Sequence, residues 1–506
     1  MTRRELLGSV PLAAALAAQR PVAAAPDVDF ASALAAAAAI KAKQVSSLDL
    51  TQRMFARIDR YNPKLNAFVY QMRDQALVRA RQADQALTRG QWLGPFHGVP
   101  VCVKESFAVQ GQPDTWGILA LKASRAPRNS AVVQSLLDAG AVLLGGTNVP
   151  LNLMDWQSYN QIYGTTNNPW DVTRTPGGSS GGSAAALAAG MAYLSPGSDI
   201  GGSLRVPASF CGLYSHKPTL DLVSLQGHEP GGGPGLPGFS TGLAVAGPMA
   251  RSAADLKTAM EVLGGPRGYD HKAWSWTLPP PRRRALKEFR VGFVLDSPTA
   301  PPTAEVRAVL DHAVKTLDRA GAQLRPGWPA GYRLEAAYDD YMFLLGAFTF
   351  STDPKAQQDE ERGQYERSRS PYGDGALSSY ADWQRRHFSQ LAARAAWQKY
   401  FEQADVFLMP ATFTVAIHHD HQGENFTRLI DTPEGKRPYM QLMPWMVTAT
   451  LTGCPATIAP AGLTQSGLPV GLQIVGPFWE DATSIEFAAL LEREMGGFQA
   501  PPGYAE

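Results

Sequence analysis

Two short segments, Thr175-Pro-Gly-Gly-Ser-Ser-Gly-Gly-Ser183 and Ser198-Asp-Ile-Gly-Gly-Ser-Leu-Arg205, place Ser179 and Ser203 directly after paired glycines. Glycine has no Cβ, so backbone amides beside it can come close to a reacting oxygen. A serine with free amides beside it supplies the nucleophile and the hydrogen-bond donors that acyl transfer needs. One such loop is also typical of a flexible linker or a phosphate-binding loop. Two of them in one region favour a catalytic site.

A proton acceptor for these serines is offered by Lys104, which ends the run Gly98-Val-Pro-Val-Cys-Val-Lys104. The alternating valines predict a strand that begins after a Gly-Pro turn. A lysine at the end of a buried strand loses hydration, which lowers its pKa until the neutral amine can act as a base. Taken alone, Lys104 is equally typical of the first solvated residue after a strand. Because the two serine loops need a proton acceptor, they favour the interpretation of Lys104 as a base.

Together these segments resemble the amidase-signature family, whose catalytic triad is Ser-cisSer-Lys. The resemblance implies that Lys104 is the base, that Ser179 is the bridging serine within a cis peptide bond, and that Ser203 is the nucleophile. It also implies an oxyanion hole built from the backbone amides of Ile200, Gly201, Gly202 and Ser203. Further segments similar to the family are Thr147–Pro150, Gln157–Asn160, Thr166–Trp170, Lys217–Thr219, Gly453–Pro460 and Gly467–Gly476.

The resemblance implies an α/β, amidase-signature fold with a large mixed central sheet flanked by helices on both sides. Residues 26–506 would form a single amidase domain, with the signature core at about 90–220 and a variable, substrate-shaping region at about 225–440. Strands alternate with helices along the core, which is the pattern of a layered α/β protein. Asp199 and Arg205 flank Ser203, and we expect them to pair and support its loop.

Composition excludes several function classes. The chain has 506 residues, 44% hydrophobic and 18% charged, with a formal net charge of +1. These values are typical of a globular enzyme and give no electrostatic field that would attract nucleic acid.

Three cysteines at wide spacing give no disulfide framework. His418, His419 and His421 surround Asp420, but a polar loop fits them better than a metal site. We expect no metal and no cofactor.

The N-terminus resembles an export signal. Arg3 and Arg4 precede an apolar run from Leu6 to Ala18, and small residues follow at 23–25. This pattern predicts a twin-arginine signal peptide over residues 1–25 and a periplasmic location. The apolar run is shorter than the ~20 residues needed to span a bilayer, so no stable membrane insertion is expected after signal removal.

Other local patterns give further expectations. Ser47 and Ser130 are candidate helix N-caps, and Asn62-Pro63 predicts the end of the first of these helices. The arginines of Pro279–Arg284 favour a solvated linker. Residues 353–375 are charged and predict a mobile, turn-rich stretch. The aromatic segment Tyr338–Phe350 is either core or lining for a substrate pocket.

These observations favour hydrolysis of carboxylic amides to an acid and ammonia or an amine through an acyl-enzyme on Ser203. By resemblance, the chain is similar to an exported peptide amidase, with a small-molecule or peptide amide as its substrate. An ester or aryl-acylamide hydrolase with the same triad stays open. A glutamyl-tRNA amidotransferase subunit is disfavoured by the export signal. An exported anion-binding protein is the alternative from another class.

Overall fold

The computed structural model of the chain describes residues 28–368 and 370–505, so the predicted signal segment 1–25 lies outside the described residues. Within them the strands are β1 Phe68–Gln71, β2 Pro100–Lys104, β3 Val142–Thr147, β4 Tyr159–Asn160, β5 Gly164–Thr165, β6 Leu194–Asp199, β7 Tyr214–Lys217, β8 Val245–Ala250, β9 Arg290–Phe293, β10 Gln323–Pro326, β11 Val406–Pro410, β12 Leu429–Thr432, β13 Gly435–Pro438, β14 Ala456–Leu463 and β15 Pro469–Val475.

Eight of these strands form one mixed sheet, in the order β10-β9-β11-β15-β14-β7-β8-β6. β9 pairs parallel with β10 and with β11, and the other neighbours pair antiparallel. A second sheet has the order β1-β3-β2, with β2 parallel to β3. β4 and β5 form a small hairpin, and so do β12 and β13. The expected large mixed sheet is confirmed.

The α-helices of the described residues are α1 Ala33–Lys41, α2 Ser47–Leu65, α3 Arg73–Thr88, α4 Ala131–Asp138, α5 Gly181–Ala188, α6 Arg205–Cys211, α7 Ala253–Leu263, α8 Ala304–Arg319, α9 Leu334–Thr352, α10 Lys355–Ser368, α11 Pro371–Ala376, α12 Tyr380–Tyr400, α13 Pro444–Thr452 and α14 Asp481–Met495. α6, α7, α8 and α14 pack against strands of the large sheet. Within residues 28–368 and 370–505, no helix has both the length and the apolar character needed to cross a bilayer.

The two sheets meet where β2 lies beside β6. The Tyr193 amide, just before β6, donates to the Pro100 carbonyl at the start of β2 over 3.1 Å. From this contact both strands run in the same direction, so their last residues end side by side. Lys104 thereby comes next to the end of β6, where the second serine segment begins. The sheet geometry joins parts of the chain that are far apart in sequence.

The core around this junction is packed closely because its residues are small. Every residue of α5 is buried. A Cβ added at Gly182 would lie 2.4 Å from the Asn148 backbone nitrogen, so only glycine allows the helix to approach the end of β3 this closely. The small residues of α5 therefore allow the close packing at this junction.

The first predicted helix differs from expectation at both ends. Ser46 is its N-cap, and Ser47 is instead the first helical residue, whose hydroxyl donates to the Gly98 carbonyl. Pro63 does not break the helix, which runs to Leu65. A proline this close to a C-terminus removes only one hydrogen bond of the last turn. The helix ends instead at Asn66, which has a φ of 49°.

Two predictions for the surface segments need correction. Residues 355–368 and 371–376 form α10 and α11 rather than turns. The glutamines, glutamates and arginines of α10 favour helix and pair at i,i+4 spacing. Of the three arginines before β9, Arg284 is exposed as predicted, whereas Arg282 and Arg283 are held by carboxylates. Arg282 pairs with Glu480 at 2.6 Å, and Arg283 pairs with the buried Asp405 at 3.3 Å. These ion pairs attach the segment to the body of the protein.

Candidate active site

Lys104 ends β2 with its side chain fully buried. Its Nζ lies 2.7 Å from Ser179 Oγ and 2.9 Å from Ser198 Oγ. Burial lowers the pKa of Lys104 from its ordinary value of 10.5 to about 7, although the nearby Asp199 carboxylate acts in the opposite direction. A neutral amine is thus available near neutral pH, at a distance from which it can accept the Ser179 proton.

Ser179 lies in the loop that leads into α5, and the peptide bond between Gly178 and Ser179 is cis. The loop is fixed by Ser158, whose hydroxyl donates to the Gly177 carbonyl and accepts from the Gly181 amide. These two bonds, of 3.0 and 3.1 Å, span the loop on either side of Ser179. The hydroxyl of Ser179 is therefore held at Lys104 by a rigid backbone.

Ser203 follows β6 in the loop before α6, and 7% of its surface is exposed. Its carbonyl accepts a hydrogen bond of 3.2 Å from the Ser180 amide, which links the two serine loops. Gly202 has a φ of +97°, and a Cβ there would lie 2.6 Å from Met446 Cγ. This position requires glycine, because another residue would be strained and would collide with α13.

Asp199 and Arg205 form a fully buried ion pair beneath the Ser203 loop, with N–O distances of 2.8 and 3.0 Å. Asp199 also accepts from the amides of Gly202 and Leu204. Burial alone would raise the pKa of Asp199, but the Arg205 charge and these hydrogen bonds bring it to about 2. Arg205 is satisfied further by the Met446 carbonyl. The expected pair is present and supports the loop.

The backbone of this loop has its carbonyls held and most of its amides open. Tyr341 donates its hydroxyl to the Ile200 carbonyl at 3.0 Å, and Trp156 donates its indole N–H to the Gly201 carbonyl at 2.9 Å. The Gly202 amide is occupied by Asp199. The amides of Ile200, Gly201 and Ser203 donate to no acceptor in the described part of the chain. Three of the four amides that the sequence predicts as oxyanion donors are therefore open.

His228 is a residue of this site that no sequence pattern singles out. Its Nε2 lies 2.9 Å from Ser198 Oγ and 3.1 Å from Ser106 Oγ. Burial, reinforced by the charge of Lys104, lowers the pKa of His228 to about 3, so the ring is neutral. It stands in a segment rich in glycine and proline, where a lone histidine is the only local signal. Tyr341 is likewise part of the site rather than only core.

The histidine cluster at 418–421 does not join this site. Asp420 binds Gln157 through its backbone, and His418 Nδ1 lies 3.3 Å from the hydroxyl of Thr173. Over residues 28–368 and 370–505, no group of three or more His, Cys, Asp or Glu side chains has a geometry able to hold a metal ion. Cys102, Cys211 and Cys454 are free and buried.

Comparison with known proteins identifies the family. A family model described as Amidase matches residues 49–485. The chain belongs to the amidase family. A glutamyl-tRNA(Gln) amidotransferase subunit from Anaeromyxobacter sp. (strain K) is 34% identical to this amidase over 496 residues, which cover 92% of this chain and 96% of the relative.

Solved structures agree in fold. A bacterial aryl acylamidase of the amidase-signature enzymes superposes with a TM-score of 0.78 at 25% identity, covering 92% of this chain and 96% of that one. Another structure, described as an amidase, has a TM-score of 0.76 at 27% identity, with coverages of 92% and 100%. The amidase therefore has the amidase-signature fold and is an enzyme that acts on amide bonds.

Proposed function

We propose that this amidase hydrolyses carboxylic amides to an acid and ammonia or an amine through an acyl-enzyme on Ser203. The observation that carries the proposal is the 2.7 Å contact between the buried amine of Lys104 and the hydroxyl of Ser179. The loop of Ser179 is bonded to that of Ser203, which keeps a small accessible surface. The contact of Lys104 with Ser179 supplies the base end of a proton relay, and the backbone bond brings the loop of the second serine beside it. The proton step from Ser203 Oγ to Ser179 Oγ is part of the proposal, because the described residues show no hydrogen bond between these two hydroxyls.

We propose the following steps for acylation. Neutral Lys104 accepts the Ser179 proton, and Ser179 accepts the proton of Ser203 as Ser203 Oγ bonds to the carbonyl carbon. The oxyanion that forms is stabilised by the amides of Ile200, Gly201 and Ser203, which have no competing acceptor among the described residues. Ser179 then protonates the leaving nitrogen, and the C–N bond breaks. Lys104 and Ser179 carry a proton from the nucleophile to the leaving group.

Deacylation reverses the relay. Water gives a proton to Ser179 and Lys104 as its oxygen bonds to the acyl carbon, and the Ser203 hydroxyl reforms when the acid leaves. Water reaches the ester because Ser203 keeps a small exposed surface while Lys104 stays fully buried. Lys104 becomes neutral again when it returns its proton through Ser179, because burial disfavours its charged form.

The test is turnover of an amide panel by purified variants. Ammonia release is measured from peptide amides and short aliphatic amides, and 4-nitroaniline release from 4-nitroacetanilide. Ser203→Ala and Lys104→Ala are expected to lose roughly a thousandfold or more in kcat while remaining folded. Ser180→Ala is the matched control, because its hydroxyl makes only a 3.4 Å contact with the Ser198 carbonyl. Turnover retained by Ser203→Ala would remove the proposal.

A second candidate is an amidotransferase subunit, which is favoured by the 34% identity to the Anaeromyxobacter relative over most of both chains. Ammonia release from glutamine, with no turnover of the other amides, would support it. Hydrolysis of acyl anilides or esters is a third, which is supported by the likeness to a bacterial aryl acylamidase. Matched ester and anilide substrates with one acyl group would separate amide from ester preference.

We also propose that residues 1–25 direct export to the periplasm, on the basis of Arg3, Arg4 and the apolar run after them. Cell fractionation of the full chain tests this. The double variant Arg3→Lys, Arg4→Lys is expected to remain in the cytoplasm, whereas the parent chain is recovered from the periplasm. Equal distribution of the two chains would contradict it.

A further inference from the structure

A line of buried polar groups extends from Lys104 through a second hydroxyl, that of Ser198. Lys104 Nζ contacts Ser198 Oγ at 2.9 Å, and Ser198 Oγ contacts His228 Nε2 at 2.9 Å. All of these side chains are buried. With the 2.7 Å contact to Ser179, the order of the chain is Ser179, Lys104, Ser198, His228. The mechanism above uses only its first two members.

The hydrogen bonds along this line of side chains can run in either of two directions. A neutral imidazole has one donor and one acceptor nitrogen, and a hydroxyl has a single hydrogen. If His228 Nε2 carries the proton, it donates to Ser198 or to Ser106, and Ser198 finds no acceptor at the ring. The hydrogen of Ser198 then points at Lys104 and occupies the amine's lone pair. If Nε2 is unprotonated, Ser198 donates to His228 and Lys104 donates to Ser198. Only the second order leaves the lone pair of Lys104 open to Ser179.

We infer that His228 is a positioning residue that accepts a hydrogen bond from Ser198 through Nε2 and so keeps the lone pair of Lys104 directed at Ser179. This inference rests on the proposed function, because it takes Lys104 as the base. The ring is held in place by Phe107 and Trp116, whose centroids lie 4.7 and 4.8 Å from it.

The charged groups around this line of side chains are consistent with a neutral imidazole at His228. Asp199 is the charged group that acts on Lys104, and Lys104 is the one that acts on His228. Glu105 and Glu229, which follow Lys104 and His228 in sequence, accept hydrogen bonds from backbone amides instead. Because burial holds the pKa of His228 at about 3, the imidazole stays neutral wherever Lys104 titrates.

The test measures how fast a fluorophosphonate reacts with the purified amidase across pH. Ser203 displaces fluoride from phosphorus and its proton passes to the base, so the rate reports activation of the nucleophile without a known substrate. In His228→Leu, Ser198 has no acceptor and turns its hydrogen onto Lys104. The plateau rate is expected to fall about tenfold, and the acid limb to move about one pH unit lower, because neutral Lys104 is then favoured.

Two variants define the control. His228→Gln offers an oxygen near the position of Nε2 and is expected to keep the wild-type limb and a rate within about twofold. Ser106→Ala removes the other hydroxyl beside Nε2, at 3.1 Å, and is expected to change neither quantity. His228→Asn, whose amide does not extend to Ser198, replaces His228→Leu if thermal denaturation shows that the leucine variant is unfolded.

The inference is overturned if His228→Leu keeps the wild-type limb and plateau. It is also overturned if the leucine and glutamine variants lose rate equally without a shift of the limb, since that marks a purely structural role. Lys104→Met in the same assay separates failure of the proposed function from failure of the role of His228. If it reacts at the wild-type rate, the proposed function itself fails. If it is inert while His228→Leu is normal, only the role of His228 fails.

Discussion

The acid limb of the pH–rate profile is the most informative property of this amidase, because we expect it to report the protonation of one buried amine, that of Lys104. With the pKa of Lys104 at about 7, half of the molecules hold a neutral base at pH 7. At the ordinary lysine pKa of 10.5, roughly one molecule in three thousand would hold it. Burial alone therefore increases the available base about a thousandfold. We predict that kcat/KM rises tenfold per pH unit below an inflection near pH 7 and is level above it.

The assay is kcat/KM for 4-nitroacetanilide, or for the best amide of the panel, between about pH 5 and pH 9. Lys217 is a matched control, since burial and the charge of Arg205 lower its pKa to about 7 as well. Its Nζ donates to the Pro218 carbonyl and contacts neither serine of the relay. Lys217→Met is expected to keep the inflection. An inflection above about pH 9, or one that disappears in Lys217→Met, would refute the assignment of Lys104.

Three further predictions concern the surroundings of the site. Tyr341→Phe releases a loop carbonyl and is expected to lower kcat about three- to tenfold with KM unchanged, as steady-state kinetics will show; a change in KM alone would contradict it. Arg205→Met leaves the Asp199 carboxylate buried and unpaired, and is expected to lower the free energy of unfolding by about 3–5 kcal/mol in urea denaturation; an unchanged midpoint would contradict it. The pKa values of Lys104 and Lys217 are lowered in the folded state, so unfolding binds protons between about pH 7 and 10.5. The free energy of unfolding should therefore rise with pH across this window, and Lys217→Met should flatten the rise measured by denaturation at each pH.

The parts of the site that the sequence predicts are those whose chemistry is encoded locally. Ser179 and Ser203 stand out because their glycines make a close approach of backbone possible. Lys104 stands out because an apolar strand delivers it. The buried contact between Lys104 and Ser179 joins residues 75 positions apart, yet the motifs alone suffice to associate them.

Other parts of the site depend on tertiary contacts that no local pattern encodes. His228 lies in an irregular segment and reaches Ser198 only because that segment folds back over the end of β2. Tyr341 lies on α9, and a single hydrogen bond from its hydroxyl to the Ile200 carbonyl distinguishes it from an ordinary core aromatic residue. The motif predicts a free amide at Gly202, but the Asp199 carboxylate beneath it takes its hydrogen. Periodicity and motif spacing describe none of these contacts.

In the fold, the errors come from tertiary and helix-end effects. Pro63 is tolerated because it stands in the last turn of α2. The charged residues of α10 favour helix through their side-chain pairs, although their polarity is typical of loops. Arg282 and Arg283 are ordinary surface residues in sequence, and only the fold supplies Glu480 and Asp405 as partners.

Peptide mapping by mass spectrometry of the fluorophosphonate-treated amidase tests the central claim most directly. We predict a single phosphonyl group on Ser203, its loss in Ser203→Ala, and a labelling rate that depends on pH with an inflection near 7. A label on Ser179 or on another serine, or labelling of Ser203 that persists unchanged in Lys104→Ala, would contradict it.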